Sequence, residues 1–168
     1  MYIARNGKYL GFLAIQDPVR PGMKKTLNRM RRLGIDEVVM LTGDSKDVAA
    51  EVARDMDIDS YHAEILPEDK ANYVMKMQKR GNVMMVGDGI NDAPALAFAD
   101  IGVSLGGNKT DIAAESAAIT IRSEDPSKLY DALYIGRETM RAINQNFTAT
   151  IVVNSAAMLL GALGKISP

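Results

Sequence analysis

Cysteine is absent from the 168 residues. That excludes disulfides, thiolate metal sites and a cysteine nucleophile. Histidine occurs once, at His62, so a multi-histidine metal centre is excluded and any histidine-based triad would have to use that residue. Tryptophan is also absent and aromatics make up 5% of the chain, too few for a base-stacking platform. Neither sign of charge dominates: 20 basic and 21 acidic residues leave a net charge of -1. Nucleic acid therefore has no electrostatic claim as the main partner. The opening MYIARNGKYLGF lacks the apolar core and small-residue cleavage pattern of a secretory signal. No repeat, low-complexity tract or Pro/Gly-rich linker divides the chain. What is present is ordinary globular composition, 47% hydrophobic and 24% charged, in a length that forms one domain with a real core.

Asn6-Gly7 predicts a hairpin turn between a short strand and Tyr9–Ile15. Asp17-Pro18 breaks that strand, and Pro21–Leu33 reads as a helix stopped by Gly34. Val38–Leu41 is an unbroken apolar run suited to a buried parallel strand, ended by Thr42-Gly43-Asp44. A helix follows with Val48, Ala49, Val52, Ala53 and Met56 on one face. The plan repeats: a helix over Glu68–Arg80, a strand over Val83–Val86 ended by Gly87-Asp88-Gly89, and a short helix over Asn91–Phe98. Strands are expected at Ile101–Leu105 and Ala118–Ile121, with a helix from Thr110 to about Ala117. Such alternation means an open, mostly parallel α/β sheet, with ligands at the carboxyl ends of its strands. From Ser127 onward one long helix is expected. Its last part, Phe147–Gly164, holds 18 residues without a charge. At ~1.5 Å per residue this is about 27 Å, close to the ~30 Å hydrocarbon thickness. Arg137 and Arg141 precede it and Lys165 follows, so a membrane crossing is the expectation. Thr148, Thr150, Asn154 and Ser155 would then face a neighbouring helix or a pathway.

The densest cluster of chemistry is Val86–Pro94. Asp88 and Asp92 stand four apart on a strand-to-helix turn. Two carboxylates there repel unless a cation or proton intervenes. Oxygen ligands with open water positions suit Mg²⁺, and flanking glycines let backbone N–H groups approach an anion. Equally, both aspartates could simply cap the following helix. Thr42-Gly43-Asp44 offers a hydroxyl and backbone N–H groups ahead of a helix, a plausible phosphate cradle. Lys70 lies in the first turn of its helix, electrostatically misplaced against the dipole. It is either a solvated surface lysine or one that reaches a bound phosphate.

Taken in order, Asp17-Pro18-Val19-Arg20, Thr42-Gly43-Asp44, Pro67-Glu68-Asp69-Lys70 and VGDGINDAPALAFAD (Val86–Asp100) resemble the phosphorylation domain of a P-type ATPase of the haloacid dehalogenase superfamily. IGVSLGGNKTDIAAESAAITI and RETMRAINQNFTATIVVNSAAMLLGALGKISP extend the resemblance, the latter to a membrane helix of the heavy-metal-transporting branch. The resemblance implies a haloacid-dehalogenase-like Rossmannoid parallel sheet followed by a long C-terminal transmembrane helix. It implies that Asp88 ligates Mg²⁺ with Asp92 beside it, that Asn91 bonds the phosphoryl group, and that Thr42 and Gly43 hold its oxygens on a loop shaped by Asp44. Lys70 would neutralise phosphoryl charge. Asp17 and Arg20 would lie at the hinge to a nucleotide-binding domain, Arg20 facing ATP. The implied segments are the end of the nucleotide-binding domain (1–16), the C-terminal half of the phosphorylation domain (17–126), a connecting helix (127–146) and a membrane helix (147–164), with everything before about residue 146 in the cytoplasm.

One part of the family pattern is missing. Members are phosphorylated on the aspartate of an Asp-Lys-Thr-Gly-Thr segment, and none occurs here. In the superfamily that strand lies between the ones ending at Thr42 and Gly87. A partial sheet is therefore expected, with unpaired backbone groups and a gap in the core. Turnover would need the remaining half of the ATPase, in cis or in trans, and the cargo would be a transition-metal cation. Two other readings fit the same residues: a non-catalytic membrane-anchored accessory module, and a soluble phosphatase using another residue. Asp55–Asp59 has no apolar strand before it and reads as a solvated helix end, and His62 as a surface or strand residue. The 11 methionines are scattered as core filling. Lys109, where the family leads one to expect glycine, and Val153-Asn154 in place of Tyr-Asn are departures; the second leaves the ion open.

Overall fold

The computed structural model describes residues 2–12, 18–87, 90–106 and 115–164, with nothing of the Ile90 side chain. Asp17, Asp88 and most of the helix expected over 110–117 lie outside the described residues. The chain opens on an antiparallel hairpin, β1 (Tyr2–Arg5) and β2 (Lys8–Phe12). Asn6 and Gly7 supply its turn with φ of 49° and 75°, the left-handed conformation that a tight hairpin demands.

Two α/β blocks follow. In the first, α1 (Met23–Arg32) leads to β3 (Val39–Leu41), α2 (Lys46–Met56) and β4 (Ser60–His62). β3 and β4 pair in parallel, Met40 opposite Tyr61. α2 buries Ala49 and Ala53, whereas Val48, expected on its apolar face, is 47% exposed. In the second block, α3 (Pro67–Gln78) leads to β5 (Met84–Gly87), a single 3₁₀ turn (Ile90–Asp92), α4 (Ala93–Phe98), β6 (Ile101–Leu105) and β7 (Ile119–Ile121). β5, β6 and β7 form one parallel sheet with β6 in the middle. The last described helix is α5 (Ser127–Ala162), which begins two residues after Asp125. That carboxylate accepts the Ser127 backbone N–H at 2.9 Å and the Ser127 hydroxyl at 2.7 Å.

Side chains alternate across β6, so its two faces bury different partners. Val103 and Leu105 enter a core with Met30 of α1 and Leu129 of α5, flanked by Ile35, Met84, Val86 and Ile121. Gly102 faces the other way, against Leu96 of α4. Helices thus cover both faces of this parallel sheet, in keeping with the mostly parallel α/β plan read from the sequence. The sheet itself is divided. Among the described residues β3 pairs only with β4, and β5 only with β6. Each leaves an edge open, although Val38–Leu41 and Val83–Val86 are the continuous apolar runs of strands buried on both faces.

The expected membrane crossing is corrected here. No helix among the described residues is long and apolar enough to cross a membrane. α5 stops at Ala162, so its uncharged part falls to about 24 Å at ~1.5 Å per residue, short of ~30 Å. Thr148, Thr150, Asn154 and Ser155 dilute what remains; Thr148 and Thr150 turn their hydroxyls back to the carbonyls of Asn144 and Asn146.

Asp59 clamps the first block. Its Oδ2 accepts the Val38 backbone N–H at 2.7 Å and Arg31 Nη2 at 2.9 Å. The Val38 bond first, then the Arg31 bond, holds the Asp59 carboxyl below its ordinary value. A depressed folded pKa gives stability that is present above the unfolded value, about 4, and is lost as pH falls through the folded one. Asp59→Asn should therefore lower the Tm near neutral pH, and the gap to the parent chain should close below about pH 4. A gap independent of pH would assign the clamp to packing alone.

Candidate functional site

Of the residues singled out by chemistry, Thr42, Gly43 and Asp44 follow β3, and Asn91 and Asp92 form part of the turn after β5. After β3 the loop is pinned to the segment beyond β4. Thr42 N–H donates to the His62 carbonyl at 3.0 Å, Ile65 N–H to the Thr42 carbonyl at 3.0 Å, and Glu64 N–H to the Asp44 carbonyl at 2.9 Å. Within the loop, the Thr42 hydroxyl donates to Asp44 Oδ2 at 2.7 Å and accepts the Asp44 N–H at 3.1 Å. Asp44 thus shapes the turn, and the Thr42 hydroxyl proton is committed to it. A Cβ on Gly43 would rest 3.5 Å from the Ile65 carbonyl, an ordinary contact. Lack of room is therefore not what calls for glycine at position 43.

The segment that pins this loop also starts α3. Ile65 is 6% exposed, Leu66 precedes the helix and Pro67 opens it, a good first position because proline has no N–H to leave unpaired. Lys70 follows in the first turn and is not a solvated surface lysine. Its Nζ lies 2.7 Å from Asp92 Oδ1, with the two side chains 16% and 14% exposed. Asp92 ends the 3₁₀ turn after β5 and lies against Gly87. A Cβ there would come within 2.7 Å of Asp92 Cβ and 2.9 Å of Oδ2. Gly87, read from sequence as giving backbone access to an anion, makes room for the Asp92 carboxylate. Asn91 stands exposed in the same turn.

Arg20 lies elsewhere on the strand ends. Its Nη1 is 2.9 Å from Glu124 Oε2, beside Gly106 at the end of β6. Glu124 and Gly106 carried no signal in the sequence, because their meeting with Arg20 depends on the register of β6 and β7. His62 is the last residue of β4, a strand residue as expected, and lies beside Tyr73 with ring centroids 4.6 Å apart and the rings tilted by 44°.

Among the described residues no three His, Cys, Asp or Glu side chains converge as metal ligands. Asp92 is the one carboxylate they bring to the end of β5, and one of its oxygens is already matched by the Lys70 ammonium. Hard oxygen donors at a strand end suit Mg²⁺, and Asp88, the other carboxylate expected there from sequence, lies outside the described residues.

The profile of the haloacid dehalogenase-like hydrolases matches residues 2–100. A zinc-exporting P-type ATPase of Mycobacterium marinum is 43% identical across the whole chain, which covers 23% of that protein. A manganese-exporting P-type ATPase of Mycobacterium leprae is 41% identical over the same span, again 23% of its length. The chain therefore spans about a quarter of the curated relatives it matches. Among solved structures, a zinc-transporting PIB-type ATPase in the E2.Pi state superposes with a TM-score of 0.86 at 33% identity, over 99% of this chain and 27% of that one. The catalytic CPx-ATPase domain CopB-B superposes with a TM-score of 0.65 at 35% identity, over 76% of this chain and 51% of that one.

Proposed function

The chain belongs to the haloacid dehalogenase-like hydrolases, and on that footing we propose that it is the phosphate- and Mg²⁺-binding part of the phosphorylation domain of a heavy-metal-exporting P-type ATPase. The parent would be a membrane protein that couples ATP hydrolysis, through an aspartyl-phosphate, to movement of a transition-metal cation. The observation that carries this reading is Lys70 drawn into a half-buried pair with Asp92 at the end of β5. An ammonium in a helix's first turn opposes the dipole. Holding it there gains most when an anion is to be met.

On this reading Thr42 and Gly43 receive the phosphoryl oxygens, and Asp44 keeps the Thr42 hydroxyl aimed until it is released to the ligand. Lys70 supplies positive charge where negative charge develops, and preorganised charge of that kind is the main protein contribution to phosphoryl transfer. Asn91, exposed beside Asp92, donates to the phosphoryl group. Asp88 holds Mg²⁺, which neutralises phosphate charge when bound, while Asp92 positions Lys70. Residues 17–126 form the phosphorylation-domain part, with Asp17 and Arg20 at the hinge and Arg20 facing ATP. The nucleophilic aspartate must come from another segment.

The test is Mg²⁺-dependent phosphorylation from labelled ATP. The purified chain is assayed alone and with a separate polypeptide carrying Asp-Lys-Thr-Gly-Thr, with circular dichroism checking that both are folded. Acid-stable label in the mixture and none in the chain alone is the expected result. No label in a folded mixture overturns the reading. Label on the chain alone would also overturn it, since it would locate a nucleophile within these residues.

A further inference from the structure

We propose that Glu64 is a positioning residue of the phosphate site, acting through its backbone: its left-handed conformation forms a hook that holds the Thr42 loop and the helix bearing Lys70 at a fixed spacing. The inference rests on the reading of that loop and of Lys70 as the two arms that meet a phosphoryl group. Among the described residues three that are not glycine have positive φ: Asn6 at 49°, Asp57 at 56° and Glu64 at 57°. Asparagine and aspartate tolerate this region, and here they serve the hairpin turn and the end of α2. Glutamate is not among the residues that favour it, so the surrounding structure holds Glu64 there. Its side chain does not supply the reason. The carboxylate side chain is 57% exposed, and the Lys46 ammonium stands 3.9 Å away on a side chain that is 76% exposed, a loose pair in solvent.

The backbone supplies it. Glu64 N–H donates to the Asp44 carbonyl at 2.9 Å, and Ile65 N–H to the Thr42 carbonyl at 3.0 Å. In an extended strand successive N–H groups point to opposite edges; a left-handed residue turns both to one side. Two neighbouring residues thereby grip the same loop. The connection has no slack. β4 ends at His62 and α3 begins at Pro67. Between them Ile65 is buried, and Leu66 is extended, as the residue before a proline must be. The hook therefore decides where α3 starts relative to the loop. That matters because the two arms stand on separate sheets: among the described residues β3 pairs only with β4, and β5 only with β6. Thr42 follows β3, whereas Lys70 is drawn to Asp92 in the turn after β5. A shift of α3 against the loop would part the arms.

The test is a set of substitutions at position 64, read in two ways. Glycine and asparagine adopt the left-handed conformation, glutamine keeps the shape of glutamate without its charge, and a β-branched valine is barred from it. Amide hydrogen exchange, followed by NMR, reports the hook itself. Glu64→Gly and Glu64→Asn should keep the amides at positions 64 and 65 as protected as in the unmodified chain. Glu64→Val should lose protection there by about tenfold or more, with Val103 and Leu105 in β6 unchanged. In the two-part phosphorylation assay Glu64→Gly, Glu64→Asn and Glu64→Gln should label at least as fast as the unmodified chain. Glu64→Val should label about tenfold more slowly at saturating ATP with half-saturating ATP within about twofold, because the loop acts on the phosphoryl group and not on nucleotide affinity. Slow labelling by the glycine, asparagine and glutamine variants would make the carboxylate the working group and overturn the proposal, even where Glu64→Val fails to fold. Full protection and full labelling in Glu64→Val would overturn it too. If the unmodified mixture gives no label, the functional reading fails, while the exchange pattern still decides whether the hook exists.

Discussion

Lys70→Met is expected to abolish phosphorylation in the two-part assay, by a factor on the order of 10²–10³, the range seen when one preorganised charge or donor is removed from a site of developing negative charge. The pair with Asp92 complicates a bare reading of that loss. Asp92 is 14% exposed and Lys70 16%. Removing either partner strands the other charge in a largely desolvated place, at a cost of about 1–3 kcal/mol. A single variant could therefore fail by loosening the end of β5. The double variant Lys70→Met/Asp92→Asn separates the two causes. It leaves no charge unpaired, so its Tm should recover most of what Lys70→Met lost, while phosphorylation should stay at the single-variant level. Recovery of both together would mean that Lys70 serves only to hold Asp92, and the proposed role in phosphoryl transfer would fall.

How much of this was legible in the sequence depends on how far the deciding contact reaches. Val39–Leu41 and Met84–Gly87 announce themselves as unbroken apolar runs, the mark of a strand buried on both faces, and Ile101–Leu105 by Ile, Val and Leu at every second position. β4 does not. Ser60-Tyr61-His62 has no such run, and it is a strand because β3 offers it a backbone ladder. The loop after β3 was correctly located, yet its anchoring to Ile65 and Glu64 was invisible, since a backbone bond leaves no trace in residue type. Asp92 is expected from sequence beside Asp88, which lies outside the described residues; the partner the structure gives it is Lys70, 22 residues away, which no local pattern announces. The membrane helix failed for a different reason. A charge-free count from Phe147 to Gly164 ignores where the helix ends, and α5 ends at Ala162. Two residues and a few hydroxyls separate a spanning length from a short one.

Gly102→Ala is expected to destabilise the chain by on the order of 3 kcal/mol, the upper end of overpacking costs. Its Cβ would stand 2.3 Å from the Leu96 carbonyl oxygen and 2.9 Å from the carbonyl carbon. Those are backbone atoms of α4 and cannot rotate away, so the whole helix must shift. α4 has little freedom to do so. Leu96 is 1% exposed and Ala95 likewise, and the Ala99 N–H closes the helix on the Ala95 carbonyl at 3.2 Å. The displacement would also travel to the proposed site, since Asp92 immediately precedes α4 and sits against Gly87. For a chain this size the loss corresponds to a Tm lower by roughly 6–12 °C. The divided sheet enlarges the practical effect, because β3 and β5 already leave open edges that a loosened α4 would help to expose. Gly81→Ala is the control: nothing lies within 4 Å of its Cβ position, and it should change stability by no more than about 0.5 kcal/mol. Equal melting temperatures for the two variants would mean that α4 can slide on β6 to make room for the added methyl group.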